Sequence, residues 1–380
     1  MMETMYSTKR EKKIALVHDF LVSYGGAERV FEEIALMYPS APIYTLLYDK
    51  EKMKGRFEGR DIRVSWLGRI PKFFQKRYRF FLPFFPAAVE TLDLREFDMV
   101  ISSSGAWSKG IVTRLHTKHI AYLHSPMRYA WDYHEEYLRE IGARGRLKIF
   151  SRMLISYLRI WDFQAAARPD MLLVNSHYTK SRVKKYYKRD AEVIYPPALS
   201  LFEKNQHATT GSQIEKTSFL VVSRLTRSKK IDIVVEAFNK LALPLTIVGI
   251  GPEKERLEKM SEKNISFVGF QSDEDLAKLY QSARALIFPS EEDFGMVAVE
   301  ALSFTVPVIA FEYGGIREIV EEGETGEFFH AQAPEIIAEA VRRFLMNEDR
   351  YDKEAMRRSA SRFSLETFRM SLRKSIEEES

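Results

Sequence analysis

With 380 residues, 45% of them apolar and 29% charged, the chain has the balance of a folded protein of two or three domains, which excludes a disordered or collagen-like polymer. It has no cysteine, which excludes disulfide scaffolds, thiol nucleophiles, iron–sulfur clusters and thiolate zinc sites. Its 58 lysines and arginines against 53 acids leave +5 and a pI near 9.0, a mild excess compatible with a phosphate-bearing ligand, an anionic membrane surface or nucleic acid.

The polar N-terminus MMETMYSTKREKK leads straight into the apolar run Ile14–Val17, without the apolar stretch and cleavage site of a signal peptide. No run nears the roughly 20 apolar residues that span a bilayer. The expectation is a cytoplasmic protein able to rest on a membrane but not to cross one. Ile14–Val17, Ile43–Leu47, Met99–Ser102, His119–Leu123, Met171–Val174 and Glu192–Tyr195 predict strands, and Ala27–Met37 and Lys148–Ala167 predict helices. Pro196–Thr217, with its polar string KNQHATTGSQIEKT, reads as a linker.

Beyond it the alternation is regular. Phe219–Val222, Leu245–Val248, Ile265–Val268, Ala285–Phe288 and Val306–Phe311 predict buried strands. Ile231–Leu241, Glu253–Met260, Asp273–Ala283, Val297–Leu302 and Glu335–Met346 predict helices. The pattern is α/β: two Rossmann-like, doubly wound domains over 1–200 and 218–360, joined by 201–217 and facing a central cleft. A C-terminal helix at about 361–380 could pack back on the first domain.

Three clusters carry chemistry. In HDFLVSYGGAERV, Gly25-Gly26 opens a helix with Glu28 in its first turn, a setting for an anion or simply a tight turn. In SRLTRSKK, Arg224 and Lys229 stand on a strand-to-helix loop, where two cations could neutralise a pyrophosphate without a metal. In PSEEDFGMVAVEALSFTVP, Glu292 and Glu300 flank Phe294-Gly295, and a helix beginning near Gly295 would turn free N–H groups toward a ligand. One carboxylate could then hold a sugar hydroxyl and the other a ribose diol. Asp273-Glu274-Asp275 imitates a metal-binding D-x-D, but Ser272 or Asp273 capping a helix explains it better, so no metal is expected.

Taken together, these clusters resemble the retaining GT-B glycosyltransferases of family 4, whose signature is Glu-x7-Glu, here Glu292 and Glu300. The likeness extends to GGAERV, FDMVISSSGAWSKG, YLHSPMRYAWD, AEVIYPP, ARALIFPSEEDFG and PVIAFEYGG, and is closer to the GDP-mannose-dependent mannosyltransferases of O-antigen and polysaccharide assembly. It implies Arg224 and Lys229 on the diphosphate, Glu300 on the ribose, Glu292 orienting the donor sugar, and the backbone of Phe294, Gly295, Met296 and Val297 against sugar and phosphates. Gly25 and Gly26 would help bind the donor, and Asp273 would accept from a guanine. His124 would stand beside donor sugar and acceptor, with Arg128, Tyr129 and Asp19 on the acceptor side.

The resemblance implies a metal-independent, front-face transfer of a hexose, mannose from GDP-mannose, to a glycan or lipid-linked acceptor, with no cofactor. A UDP-sugar-dependent relative is the enzyme alternative. A nucleotide-sugar epimerase is disfavoured by the glutamate pair and HSPMRY. A basic membrane- or nucleic-acid-binding protein is the non-enzyme alternative, and no nucleic-acid motif supports it. Oligomeric state is left open. Ser223 and Lys230 replace family glycines, Ala298 stands for a proline, and Phe304-Thr305 stands where glycine is usual. Unless the helix ends differently, a left-handed residue falls on Thr305, costing about 1–2 kcal/mol.

One surface stretch stands apart. Between Asp61 and Glu90 there is no acid, but Arg63, Arg69, Lys72, Lys76, Arg77 and Arg79 alternate with Trp66, Phe73, Phe74, Tyr78, Phe80, Phe81, Phe84 and Phe85. That suits an anionic membrane interface or a core rimmed by solvated cations. Lys180–Arg189 reads as a basic helix face.

Overall fold

The computed structural model describes residues 12–70, 78–140, 145–198, 201–202 and 216–378. Most of the expected linker, and Lys72, Phe73, Phe74, Lys76 and Arg77, lie outside the described residues. The chain divides into two compact units, Met1–Val174 with Lys180–Val193, and Asn175–Thr179 with Ile194–Ser380.

The first unit holds a seven-stranded sheet: β1 (Ile14–Leu21), β2 (Ile43–Tyr48), β3 (Ile62–Val64), β4 (Met99–Ser104), β5 (Lys118–Leu123), β6 (Met171–Val174) and β7 (Glu192–Val193). Its order is β3-β2-β1-β4-β5-β6-β7, and each pairing is parallel. Helices covering both faces require apolar strands, and β4 is buried along its whole length. The helices are α1 (Gly26–Met37), α2 (Phe85–Glu90), α3 (His134–Glu140), α4 (Gly145–Ala165) and, from Lys180 onward, α5 (His177–Tyr187). α1 turns Val30, Phe31, Ile34 and Ala35 inward, the spacing of one helical face. Phe85, Trp107 and Trp161 pack in succession as tilted rings, with centroids 5.1 and 5.4 Å apart, in the core. A Cβ at Gly110 would fall 2.5 Å from the Trp161 ring, so this indole needs a glycine beside it.

The acid-free stretch is divided: Leu67 and Phe85 are core, while Trp66 and Phe84 are exposed. Arg63 is not merely solvated, since it pairs with Asp61 and Glu96.

The second unit holds β8 (Ser218–Val222), β9 (Leu245–Val248), β10 (Ile265–Gly269), β11 (Ala283–Phe288), β12 (Val308–Phe311) and β13 (Gly326–Phe329). Their order is β10-β9-β8-β11-β12-β13, again parallel throughout. α6 (Ile231–Leu241), α7 (Lys254–Met260), α8 (Asp273–Gln281), α9 (Met296–Ser303), α10 (Pro334–Met346), α11 (Lys353–Ser361) and α12 (Leu365–Glu378) complete it.

α9 ends as the sequence suggests. Thr305 is left-handed at φ 55°, its N–H donates to Leu302 O at 2.9 Å, and Val306 N–H donates to Ala301 O at 2.9 Å. This paired closure needs a positive φ at Thr305. Both sheets reverse strand order after their third strand, between β1 and β4 and between β8 and β11. Loops leaving the carboxyl ends there are where such sheets bind ligands.

Candidate active site

In the second unit, the β8 loop turns through a short helix, Arg227–Lys229, and Lys230 closes it in the left-handed conformation at φ 55°. Glycine, which the family resemblance implies at this position, adopts that conformation without the cost a side chain brings. The β9 loop lies against it: a Cβ at Gly249 would sit 1.8 Å from Ser223 O, and one at Gly251 2.2 Å from Leu225 O. Lys229 reaches across the switch point to the β11 loop. Its Nζ donates to Glu292 Oε1 at 2.6 Å, and Ser290 Oγ donates to the same oxygen at 3.1 Å.

The β12 loop fixes Glu292 from behind. Gly315 N–H donates to Glu292 O at 2.9 Å, and a Cβ at Gly314 would meet that carbonyl at 2.2 Å. Gly295, at φ 113°, then starts α9 in a conformation closed to side chains. The first amides of α9, Met296 and Val297, have no acceptor within the helix. Phe294 is buried and tilts onto Tyr195 at 5.9 Å.

Glu300 lies deeper in α9, only 2% exposed, and its Oε2 accepts from the Tyr280 hydroxyl at 2.9 Å. Tyr280 stacks on Phe304 with ring centroids 5.5 Å apart. The sequence reading missed Tyr280, although its place in the amphipathic α8, seven residues after Asp273, marks it as inward-facing. Arg224 is exposed and enters no ion pair among the described residues. Asp273 begins α8 beyond β10, at the sheet edge. Ser272 caps that helix by accepting Asp275 N–H at 3.1 Å, and Asp275 pairs with Lys278 at 2.9 Å. The acidic run thus serves the helix terminus, and no group of three metal-ligating side chains occurs among the described residues.

In the first unit, β1 runs past its expected end and carries His18 and Asp19 in the strand, both buried. Asp19 binds backbone. Its carboxylate accepts from the N–H groups of Gly105, Ala106, Trp107 and Ser108 at 2.6 to 3.2 Å. That pattern pins the β4 loop, and the expected acceptor-side role of Asp19 has this anchoring duty beside it. Gly25 caps α1 in extended conformation, and helix begins at Gly26.

His124 follows β5. Its Nε2 lies 2.8 Å from Ser103 Oγ, which lies 3.1 Å from His18 Nδ1. His18 Nε2 is 3.7 Å from Glu28 Oε1. Burial would raise the Glu28 carboxyl, but the His18 imidazole beside it holds it below the usual range. The sequence reading singled out neither His18 nor Ser103, and register, rather than motif, unites them. Arg128 and Tyr129 form the turn Arg128–Ala130, with the Tyr129 ring 5.4 Å from Tyr137.

Two family profiles match the chain: one described as Glycosyltransferase Family 4 over residues 24–198, and one as Glycosyl transferases group 1 over residues 202–362. The chain is built of two glycosyltransferase domains. Over 158 residues, 39% of this chain and 40% of that protein, the chain is 34% identical to an uncharacterized glycosyltransferase of Methanocaldococcus jannaschii. Over 247 residues, 61% of this chain and 64% of that one, it is 25% identical to the O-antigen chain mannosyltransferase C of Escherichia coli. The chain thus matches less than two thirds of the length of these curated relatives. Among solved structures, the two-domain GT-B architecture is shared with Anabaena HepE in complex with UDP and glucose, at 17% identity and TM-score 0.68 over 97% of this chain and 100% of that one.

Proposed function

We propose that the protein is a retaining glycosyltransferase that moves mannose from GDP-mannose onto a glycan or lipid-linked saccharide. The observation that carries this reading is the contact of Lys229 with Glu292 at the β8/β11 switch point, beside the N-terminus of α9. A cation held by a carboxylate is poised to exchange it for a diphosphate, releasing Glu292 to the sugar hydroxyls. Arg224 supplies the second cation and the α9 amides the remaining donors, so charge on the departing diphosphate meets preorganised positive groups.

In the reaction, the bond from the anomeric carbon to the diphosphate oxygen breaks. An acceptor hydroxyl oxygen bonds to that carbon on the same face, and its proton passes to the leaving phosphate. Glu292 orients the sugar and forms no covalent bond, unlike the nucleophile of a retaining glycosidase. Glu300, held by Tyr280, binds the ribose, Asp273 the base, and His124 with Arg128 and Tyr129 serves the acceptor. No cofactor or metal enters this scheme. Mannose is supported by the E. coli relative's name, and a UDP-sugar is the second reading, favoured by the neighbour solved with UDP.

A lipid-linked acceptor would draw the enzyme to a membrane surface. No helix among the described residues is long and apolar enough to cross a membrane, but α4 exposes Ile149, Phe150, Met153, Tyr157 and Ile160 along one face. Acceptor-independent turnover tests the reaction. GDP is expected from GDP-mannose in EDTA, falling about 10²–10³-fold in Lys229→Ala. Release only from a UDP-sugar would transfer the donor assignment to the second reading.

A further inference from the structure

We infer that Ser103, hydrogen-bonded to both imidazoles, and His18, faced by the Glu28 carboxylate, fix the tautomer of His124, which makes the three positioning residues for the site. The inference rests on the reading of His124 as an active-site histidine. Its geometry comes from three neighbouring parallel strands. Register pairs His18 on β1 with Ser103 on β4, and Ser103 with Tyr122 on β5, two residues before His124. His124 N–H donates to Ser104 O at 2.9 Å, which continues the ladder one step and fixes where the imidazole leaves the sheet.

Ser103 Oγ stands between the two imidazoles, 3.1 Å from His18 Nδ1 and 2.8 Å from His124 Nε2. A hydroxyl has one proton, so with both rings neutral one facing nitrogen accepts it and the other must donate its own. Glu28 decides which. Its carboxylate faces His18 Nε2 at 3.7 Å and favours the proton on that nitrogen. His18 Nδ1 then accepts from Ser103, and Ser103 accepts from His124 Nε2–H. His124 is thereby held as the tautomer with an unprotonated Nδ1, suited to accept a hydrogen bond from a sugar hydroxyl. The His18 ring is 2% exposed and stacks on Phe31 at 4.6 Å and 17°, which prevents it from turning over to exchange its nitrogens.

The test uses the full chain labelled with 15N-histidine, with its eight histidines assigned by His18→Asn and His124→Asn. Long-range 1H–15N spectra should show His124 protonated at Nε2, a mixture of its tautomers in Ser103→Ala, and recovery in Ser103→Thr, which restores the hydroxyl. In donor turnover, Ser103→Ala should lower kcat about tenfold with KM within threefold, and Ser103→Thr should restore it. An Nδ1-protonated His124 in the wild type, or a Ser103→Ala protein with unchanged spectrum and kcat, would overturn the inference. Failure of the underlying reading looks different. Full turnover in His124→Ala would remove the role given to His124, while the spectra would still decide whether the chain sets its tautomer.

Discussion

Lys109 and Asp162 are 1% and 0% exposed and meet at 2.6 Å, the kind of buried ion pair that stands only when every remaining valence is filled. Here much of that demand is met: Asp162 Oδ2 accepts from Trp131 Nε1 at 2.8 Å and from the Tyr187 hydroxyl at 2.7 Å, Lys109 donates to Ala106 O, and Asp162 Oδ1 has the Lys109 charge beside it but no hydrogen bond of its own. Burial, reinforced by the Asp162 charge, pushes the Tyr187 hydroxyl far above its usual range, so it stays a donor. Lys109→Met should therefore cost about 3–5 kcal/mol in urea unfolding, and adding Asp162→Asn should recover part of it. His119 gives a pH signature. Full burial, with Arg189 and Arg168 nearby, lowers its pKa to about 3, and it bonds Ser102 Oγ at 2.8 Å as a neutral ring. A depressed pKa means that the unfolded chain takes up the proton first. The contribution is complete above about pH 6.5 and is lost as pH falls toward 3. His119→Asn should flatten the fall in unfolding free energy between pH 7 and pH 5.

At the scale of elements, α9 closes on Thr305 and the β8 loop on Lys230, two non-glycine residues at φ 55° where the family resemblance implies glycine. Thr305 meets its neighbours there through backbone, including Lys216 Nζ to its carbonyl at 3.2 Å. Thr305→Gly should thus keep these bonds and stabilise the protein by about 1 kcal/mol, read as a rise in urea midpoint. This turn was legible from sequence because a helix end has a fixed chemistry. β3 and β13 were not. IRV is three residues of half-exposed edge, and GEFF carries Glu327, whose buried carboxylate accepts from Tyr351, in the turn before α11, and from Arg343 on α10. β1 was read too short because His18 and Asp19 are polar, yet both find partners across the sheet. For α4, vesicles containing anionic lipid should co-sediment with the protein. Ile149→Ser with Met153→Ser and Ile160→Ser should reduce that partition more than tenfold, and an unchanged partition would remove the membrane proposal.

For the molecule as a whole, the same strand order occurs twice, and each sheet brings its chemistry to its own reversal point: Lys229 and Glu292 in one, His18, Ser103 and His124 in the other. Lys229 and Glu292, 63 residues apart, were picked out in the sequence because each stands in a short charged run of its own, SRLTRSKK and PSEEDFG. The first unit's chain was not, because His18 and Ser103 stand inside strands with no charged or glycine-rich run to mark them and meet only through parallel register. The proposed function stands or falls on the β8–α9 site. Its most direct test is equilibrium titration of GDP and UDP against the wild type, Lys229→Ala and Glu300→Gln, with folding checked by circular dichroism. Saturable binding, with GDP preferred and affinity at least tenfold weaker in both folded variants, is the predicted result. Equal affinity in all three proteins, or binding of neither nucleotide, would contradict it.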